Sequence, residues 1–214
     1  MECKFTITIL TINLRYNVMK KIYFILALLT TTSSIAQNLI FGIEVSPSYQ
    51  LQSIRNKATG LFSSISGYGF NLGAPIKINL TDNKSISTGL LYEFSAFDNR
   101  VNTFLISSLR LNSVHIPITY NYPIIEGLYL NAGGGINYIF NSKEYGGGIW
   151  LKTNSIINQF QPYVAAGLST LMDRNTNTYE LGVNARYHFI DIWKYAAQTS
   201  TSIIAIDLNL KYYF

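Results

Sequence analysis

The 214-residue chain has the length of a single domain, with 13% charged, 48% hydrophobic and 14% aromatic residues, 16 of them tyrosine. A mean hydropathy of +0.17 lies far below that of a helical membrane protein, whereas a membrane barrel produces this mixture because half of each strand is polar. The formal charge of +5 is largely an N-terminal effect: without Lys4, Arg15, Lys20, Lys21 and Glu2, the 16 basic and 11 acidic residues become 12 and 10, and a net +2 makes no case for nucleic-acid binding.

The N-terminus reads as a leader. Met19-Lys20-Lys21 is a basic start, residues 22–29 are apolar, and Ser34-Ile35-Ala36 is a small-x-small cleavage site before Gln37. Eight apolar residues fall short of the ~20 that a spanning helix needs. Residues 19–36 are therefore expected to be a cleaved signal peptide, with 1–18 a mis-called translation start and 37–214 the mature domain. The one cysteine, Cys3, falls in that leader, so the mature chain is expected to carry neither a disulfide nor a cysteine-linked lipid.

From Gln37 onward the pattern is period two, the signature of strands with unlike faces. Strand one sets Leu39, Phe41, Ile43, Val45 and Tyr49 against Glu44, Ser46, Ser48 and Gln50, and a polar stretch follows at 52–60. Strand two sets Tyr68, Phe70, Leu72, Ile76 and Ile78 against Gly69, Asn71, Lys77 and Asn79, with a bulge or lost pairing expected at Pro75. Strand three sets Ile86, Leu90, Tyr92, Phe94 and Ala96 against Ser87, Leu91, Glu93 and Ser95, and 98–107 reads as a loop. Strand four begins on Leu109 and Leu111 and resumes on Val114, Ile116 and Ile118, a change of phase that predicts a β-bulge near Asn112-Ser113 and turns His115 inward.

Strand five sets Leu128, Leu130, Ile136, Tyr138 and Phe140 against Tyr129, Asn131, Gly133, Gly135 and Asn137. The longest irregular stretch follows, 141–158, in which Gly146-Gly147-Gly148 reads as a mobile loop tip beside Tyr145 and Trp150. Strand six sets Phe160, Val164 and Leu168 against Gln161, Tyr163 and Ser169, and strand seven sets Tyr179, Leu181, Val183 and Tyr187 against Glu180, Asn184, Arg186 and His188. The last strand alternates Ile204, Ile206, Leu208, Leu210, Tyr212 and Phe214 with Asp207, Asn209 and Lys211. Its 11 residues match the ~9–11 that cross a bilayer at a tilt.

The expected fold is an all-β, eight-stranded antiparallel up-and-down transmembrane barrel. Connections alternate between long ones, after strands one, three, five and seven, and short ones. That alternation puts the long loops outside and both termini in the periplasm of a Gram-negative cell. Lipid is then the first expected partner.

Three strands carry a resemblance. Residues 87–95, 111–120 and 128–135 (Ser-Thr-Gly-Leu-Leu-Tyr-Glu-Phe-Ser, Leu-Asn-Ser-Val-His-Ile-Pro-Ile-Thr-Tyr and Leu-Tyr-Leu-Asn-Ala-Gly-Gly-Gly) resemble strands of the PorT-like outer-membrane β-barrel family of Bacteroidota. The second departs from the family pattern in having Val114 for Leu and His115 for Glu. The resemblance implies an eight-stranded outer-membrane barrel, in a family whose members mostly lack an assigned activity and of which a few are linked to secretion or gliding machinery. The ending, with Tyr212 two residues before Phe214, resembles the C-terminal signal read by the barrel-assembly machinery, a second expected partner.

The inward set collects Glu44, Glu93, Glu180 and Asp207 against Lys77, Arg186 and Lys211, with His115 and His188 nearby. Eight strands enclose a lumen only wide enough for side chains, so these charges are expected to form an ionic plug. Counting outward from the last loop places Glu180 opposite Leu210 to Lys211. His188, Asp191 and Ser200 supply candidate groups for an outer-leaflet lipid or peptide enzyme, the alternative reading. The residues lack metal-ligand spacing, and no catalytic group, cofactor or metal is expected. The outside loops are the expected surface for a protein partner.

Overall fold

A computed structural model describes residues 39–80, 83–101, 104–174, 177–194 and 199–214. Residues 1–38, which include the expected leader and Cys3, and residues 81–82, 102–103, 175–176 and 195–198 lie outside the described residues. Nine strands follow in order: β1 (Leu39–Asn56), β2 (Phe62–Asn79), β3 (Ser85–Val101), β4 (Phe104–Ile125), β5 (Leu128–Gly146), β6 (Ile149–Lys152), β7 (Phe160–Arg174), β8 (Asn177–His188) and β9 (Thr199–Tyr213). Eight of them close a ring of neighbours, β1-β2-β3-β4-β5-β7-β8-β9 and back to β1, while the four-residue β6 pairs with β5 alone.

Alternation decides which face each residue takes. Along β1, Phe41, Ile43, Val45 and Tyr49 are exposed while Glu44, Ser46, Ser48 and Gln50 are buried; along β9, Ile206, Leu208 and Leu210 are exposed while Asp207, Asn209 and Lys211 are buried. The barrel is thus apolar outside and polar inside. Aromatic rings band it twice. Phe70, Phe94, Tyr92 and Phe140 form one linked series with Tyr138 and Phe160 beside it, and Tyr179, Tyr212 and Phe214 form the other. On the β8 wall, Tyr179 and Phe189 are ten residues apart. That is ~34 Å along the chain and ~26 Å along the axis at a ~40° tilt, close to the ~25 Å of an outer-membrane barrel's apolar band.

Several expectations are corrected. The long connections are mostly strand: β1 continues to Asn56, β3 to Val101, and β4 starts at Phe104. Their alternation fades because, past the apolar band, both faces of a strand can meet water. The stretch 141–158, expected to be irregular, contains a hairpin with Gly147 and Gly148 at its tip. With φ of 59° and 87° they form the two-residue turn of a hairpin closed by Gly146 opposite Ile149, a geometry that needs positive φ at both positions.

The registry around proline also differs. Pro75 pairs with Gly89 in an unbroken β2–β3 register. On the other seams described, pairing lapses at Pro47 between β1 and β9 and at Pro117 between β3 and β4, and resumes in the same register each time. The slip expected at Asn112-Ser113 does occur against β5, but the extra residue is Phe140, because Asn112 opposes Asn141 and Ser113 opposes Ile139. β4 keeps its phase throughout, so Leu109, Leu111, Ser113 and His115 all face inward. What changes along that face is polarity, not direction.

Candidate functional site

The lumen is filled in tiers. In the middle tier Arg186 on β8 donates through Nε and Nη2 to Asp207 on β9 at 2.6 and 2.9 Å. The same guanidinium donates through Nη1 and Nη2 to Glu93 on β3 at 3.0 and 2.8 Å. β3 and β8 are four places apart in the ring of eight, so this one side chain spans the lumen wall to wall. His115 Nδ1 lies 3.1 Å from Arg186 Nη1 and 3.5 Å from Glu93. Glu93 also accepts from Gln50 at 3.0 Å and Asn137 at 3.2 Å, and Asp207 accepts from Asn71 at 3.3 Å. Charges out of water persist when paired and fully hydrogen-bonded, and this cluster meets both conditions.

Towards the end that carries both described chain termini, Glu180 and Lys211 are direct partners across β8–β9, with Lys211 Nζ donating to Glu180 Oε1 at 2.8 Å. On its other side Lys211 opposes Glu44, whose carboxylate accepts from Ser46 Oγ at 2.8 Å. The last tier is Lys77, with Nζ 5.7 and 5.6 Å from the Tyr129 and Tyr213 ring centres, two further walls. A cavity of about 50 Å³ between Arg186 and Lys211 is the width of a few waters, not of a pore.

The opposite mouth is apolar. Phe97, Leu109, Leu111, Ile139, Ile157, Ile192 and Ile203 form one buried cluster with Trp193 against it. The segments after β6 and β8 lie over this mouth, tied by the Ile157–Trp193 bridge and the bond from Asn158 N–H to the Ile192 carbonyl at 2.7 Å. Asp191 accepts from Ser200 Oγ at 2.8 Å and from the Thr201 N–H at 2.5 Å, which fastens the base of that last loop. His188 instead packs on the Tyr163 ring, 5.2 Å between centres, and its Nδ1 is buried without a partner. The structure therefore does not bring His188, Asp191 and Ser200 into a nucleophile–base line. Among the described residues no His, Cys, Asp and Glu cluster suits a metal.

The nine charged or histidine residues expected in the lumen are all buried there. The sequence places Gln50, Asn71, Asn137 and Tyr163 on the inward faces, but only the structure joins them to the charged groups. The Tyr163 hydroxyl stands where a Cβ on Gly135 would be, 2.5 Å away, so the inward glycine of β5 is the signal for a ring opposite.

No protein-family model and no curated protein matches this chain. Solved structures do. Neisserial surface protein A is 10% identical and aligns over 79% of this chain and 95% of its own with a TM-score of 0.51. Ail, the attachment invasion locus protein of Yersinia pestis, is 17% identical over 81% and 99% with a TM-score of 0.46. The fold is that of the small outer-membrane β-barrels.

Proposed function

We propose that the chain is an integral outer-membrane barrel of a Gram-negative bacterium that acts as a structural or interaction component of that membrane, and is neither an enzyme nor an open pore. The carrying observation is the inverted polarity. The outside presents a continuous apolar band between two aromatic rings, and the inside holds a charge network crossed by Arg186. A soluble ligand-binding barrel would need the reverse. Export through a cleaved peptide at 19–36 and kinship with the PorT-like barrels, a few of which are linked to secretion or gliding machinery, belong to the same reading.

The C-terminal strand supports recognition by the assembly machinery. Phe214 is 64% exposed, its N–H is bonded to the Phe41 carbonyl at 3.0 Å, and its ring lies 6.1 Å from that of Tyr212. The ends of β1 to β5 and the segments over the apolar mouth are the surface left for a protein partner.

Two measurements test the reading. Carbonate washing of isolated membranes is expected to leave the protein in the pellet, and its release would refute membrane integration. Planar-bilayer recording is expected to show no steady conductance, since the mouth is apolar and the lumen is spanned; large stable steps from the monomer would refute a closed barrel.

A further inference from the structure

The hairpin of β5 and β6 places cations side by side. Arg110 on β4 is the direct partner of Lys143 on β5, and Lys143 is the direct partner of Lys152 on β6. Direct partners point to the same face. Inward Leu109, Leu111 and Ser142 flank the row, so these three cations face outward. Neighbouring strands are ~4.8 Å apart, which packs three positive charges into ~10 Å. Like charges directly opposite destabilise a sheet, and Lys143 and Lys152 have no carboxylate partner among the described residues.

The third cation is held in place. Arg110 Nη2 pairs with Asp98 at 3.0 Å, its guanidinium lies 5.9 and 5.8 Å from the Tyr68 and Trp150 ring centres, and its Nη1 is buried beneath them without a hydrogen-bond partner. The Asp98 carboxylate thus pairs with Arg110, and among the described residues the two lysines beside it have none.

Height fixes the occupant. Two residues down β4 from Arg110 is Asn112, which accepts a hydrogen bond from Tyr92 of the aromatic series. The cation row stands ~7 Å of strand above that ring, with the apolar band directly below. Groups at that level meet lipid headgroups. Exposed Trp150 and Tyr68 flank the row with amphipathic rings suited to the same zone.

We propose that Arg110, Lys143 and Lys152 form a binding site on the outer wall for the phosphate of an anionic lipid headgroup in the leaflet at the apolar-mouth end. The inference rests on the membrane-barrel reading. The lipid's phosphate oxygens accept from the guanidinium and the two ammonium groups, while its chains lie along the band beneath.

The test uses the full mature chain in phosphatidylcholine nanodiscs doped with phosphatidic acid, with retained lipid read by native mass spectrometry after stepwise detergent exchange. Wild type is expected to retain phosphatidic acid over phosphatidylcholine. A Lys143→Gln/Lys152→Gln variant is expected to lose affinity on the order of five-fold per lysine removed. Lys84→Gln, at the opposite end, is expected to retain wild-type preference, and millimolar inorganic phosphate is expected not to compete. Equal loss in the Lys84 variant would reduce the effect to general charge and overturn the site, and competition by inorganic phosphate would overturn the lipid assignment. A barrel that inserts but shows no preference overturns this inference alone. Failure to insert into nanodiscs overturns the membrane reading and this inference with it.

Discussion

The middle of the lumen and its apolar mouth belong to one barrel but are filled by opposite chemistries. In the middle, Arg186 satisfies Glu93 and Asp207 from walls that are distant in sequence, and every group depends on a specific partner. At the mouth, seven buried apolar residues share contacts without direction. In the ionic tier, losing a charged member strands the charge opposite it. The apolar tier degrades in proportion to what is removed.

The largest effect should come from Arg186→Ala. Glu93 and Asp207 would face each other unpaired, at a cost of about 3–5 kcal/mol. Urea unfolding of the lipid-folded barrel measures it. Adding Glu93→Gln and Asp207→Asn to that variant should recover part of the loss. Equal losses in the single and triple variants would mean that packing, not charge, holds the middle tier.

A smaller effect is expected at the mouth. Leu111→Ala should cost about 2 kcal/mol, the low end for a buried leucine, because the cavity borders water. A membrane-soluble thiol reagent should label Asn112→Cys and spare Leu111→Cys. The opposite labelling would restore the phase change read from the sequence.

The smallest effect sharpens the comparison within the ionic group. Glu180 and Lys211 are buried direct partners, but Glu44 lies opposite Lys211 on its other side and still answers the ammonium when Glu180 is removed, so their coupling in a double-mutant cycle is expected at about 1 kcal/mol. Additive effects would show that the pair is solvated.

Period-two alternation made each residue's face readable wherever lipid-like and polar sides differ, as in β1 and β9. It also made the Glu180–Lys211 register countable, because one loop joins those strands. It failed at Leu109 and Leu111, where an inward residue is apolar and parity alone cannot tell mouth from belt. The partnership of Arg186 with Glu93 was beyond reach for another reason. It joins strands that meet only across a closed lumen, and nothing local in either strand encodes the other. The β5–β6 hairpin was written in Gly147-Gly148, but the surrounding polar residues masked a strand that stands outside the apolar band.

The diametric reach of Arg186 also bears on how such a wall could assemble. Its contact with Asp207 spans 21 positions along the chain and lies between adjacent strands, whereas its contact with Glu93 spans 93. A partly rolled sheet can form the first but not the second, and it would hold Glu93 with its neutral donors but without its guanidinium until the β1–β9 seam zips shut. Closing the cylinder pays a loop entropy that grows only slowly with separation, and the final ion pair arrives at that moment. The open, curled intermediate is thereby disfavoured on charge grounds and the sealed barrel is selected as a unit, which makes the arginine a latch on biogenesis as well as a filling for the bore.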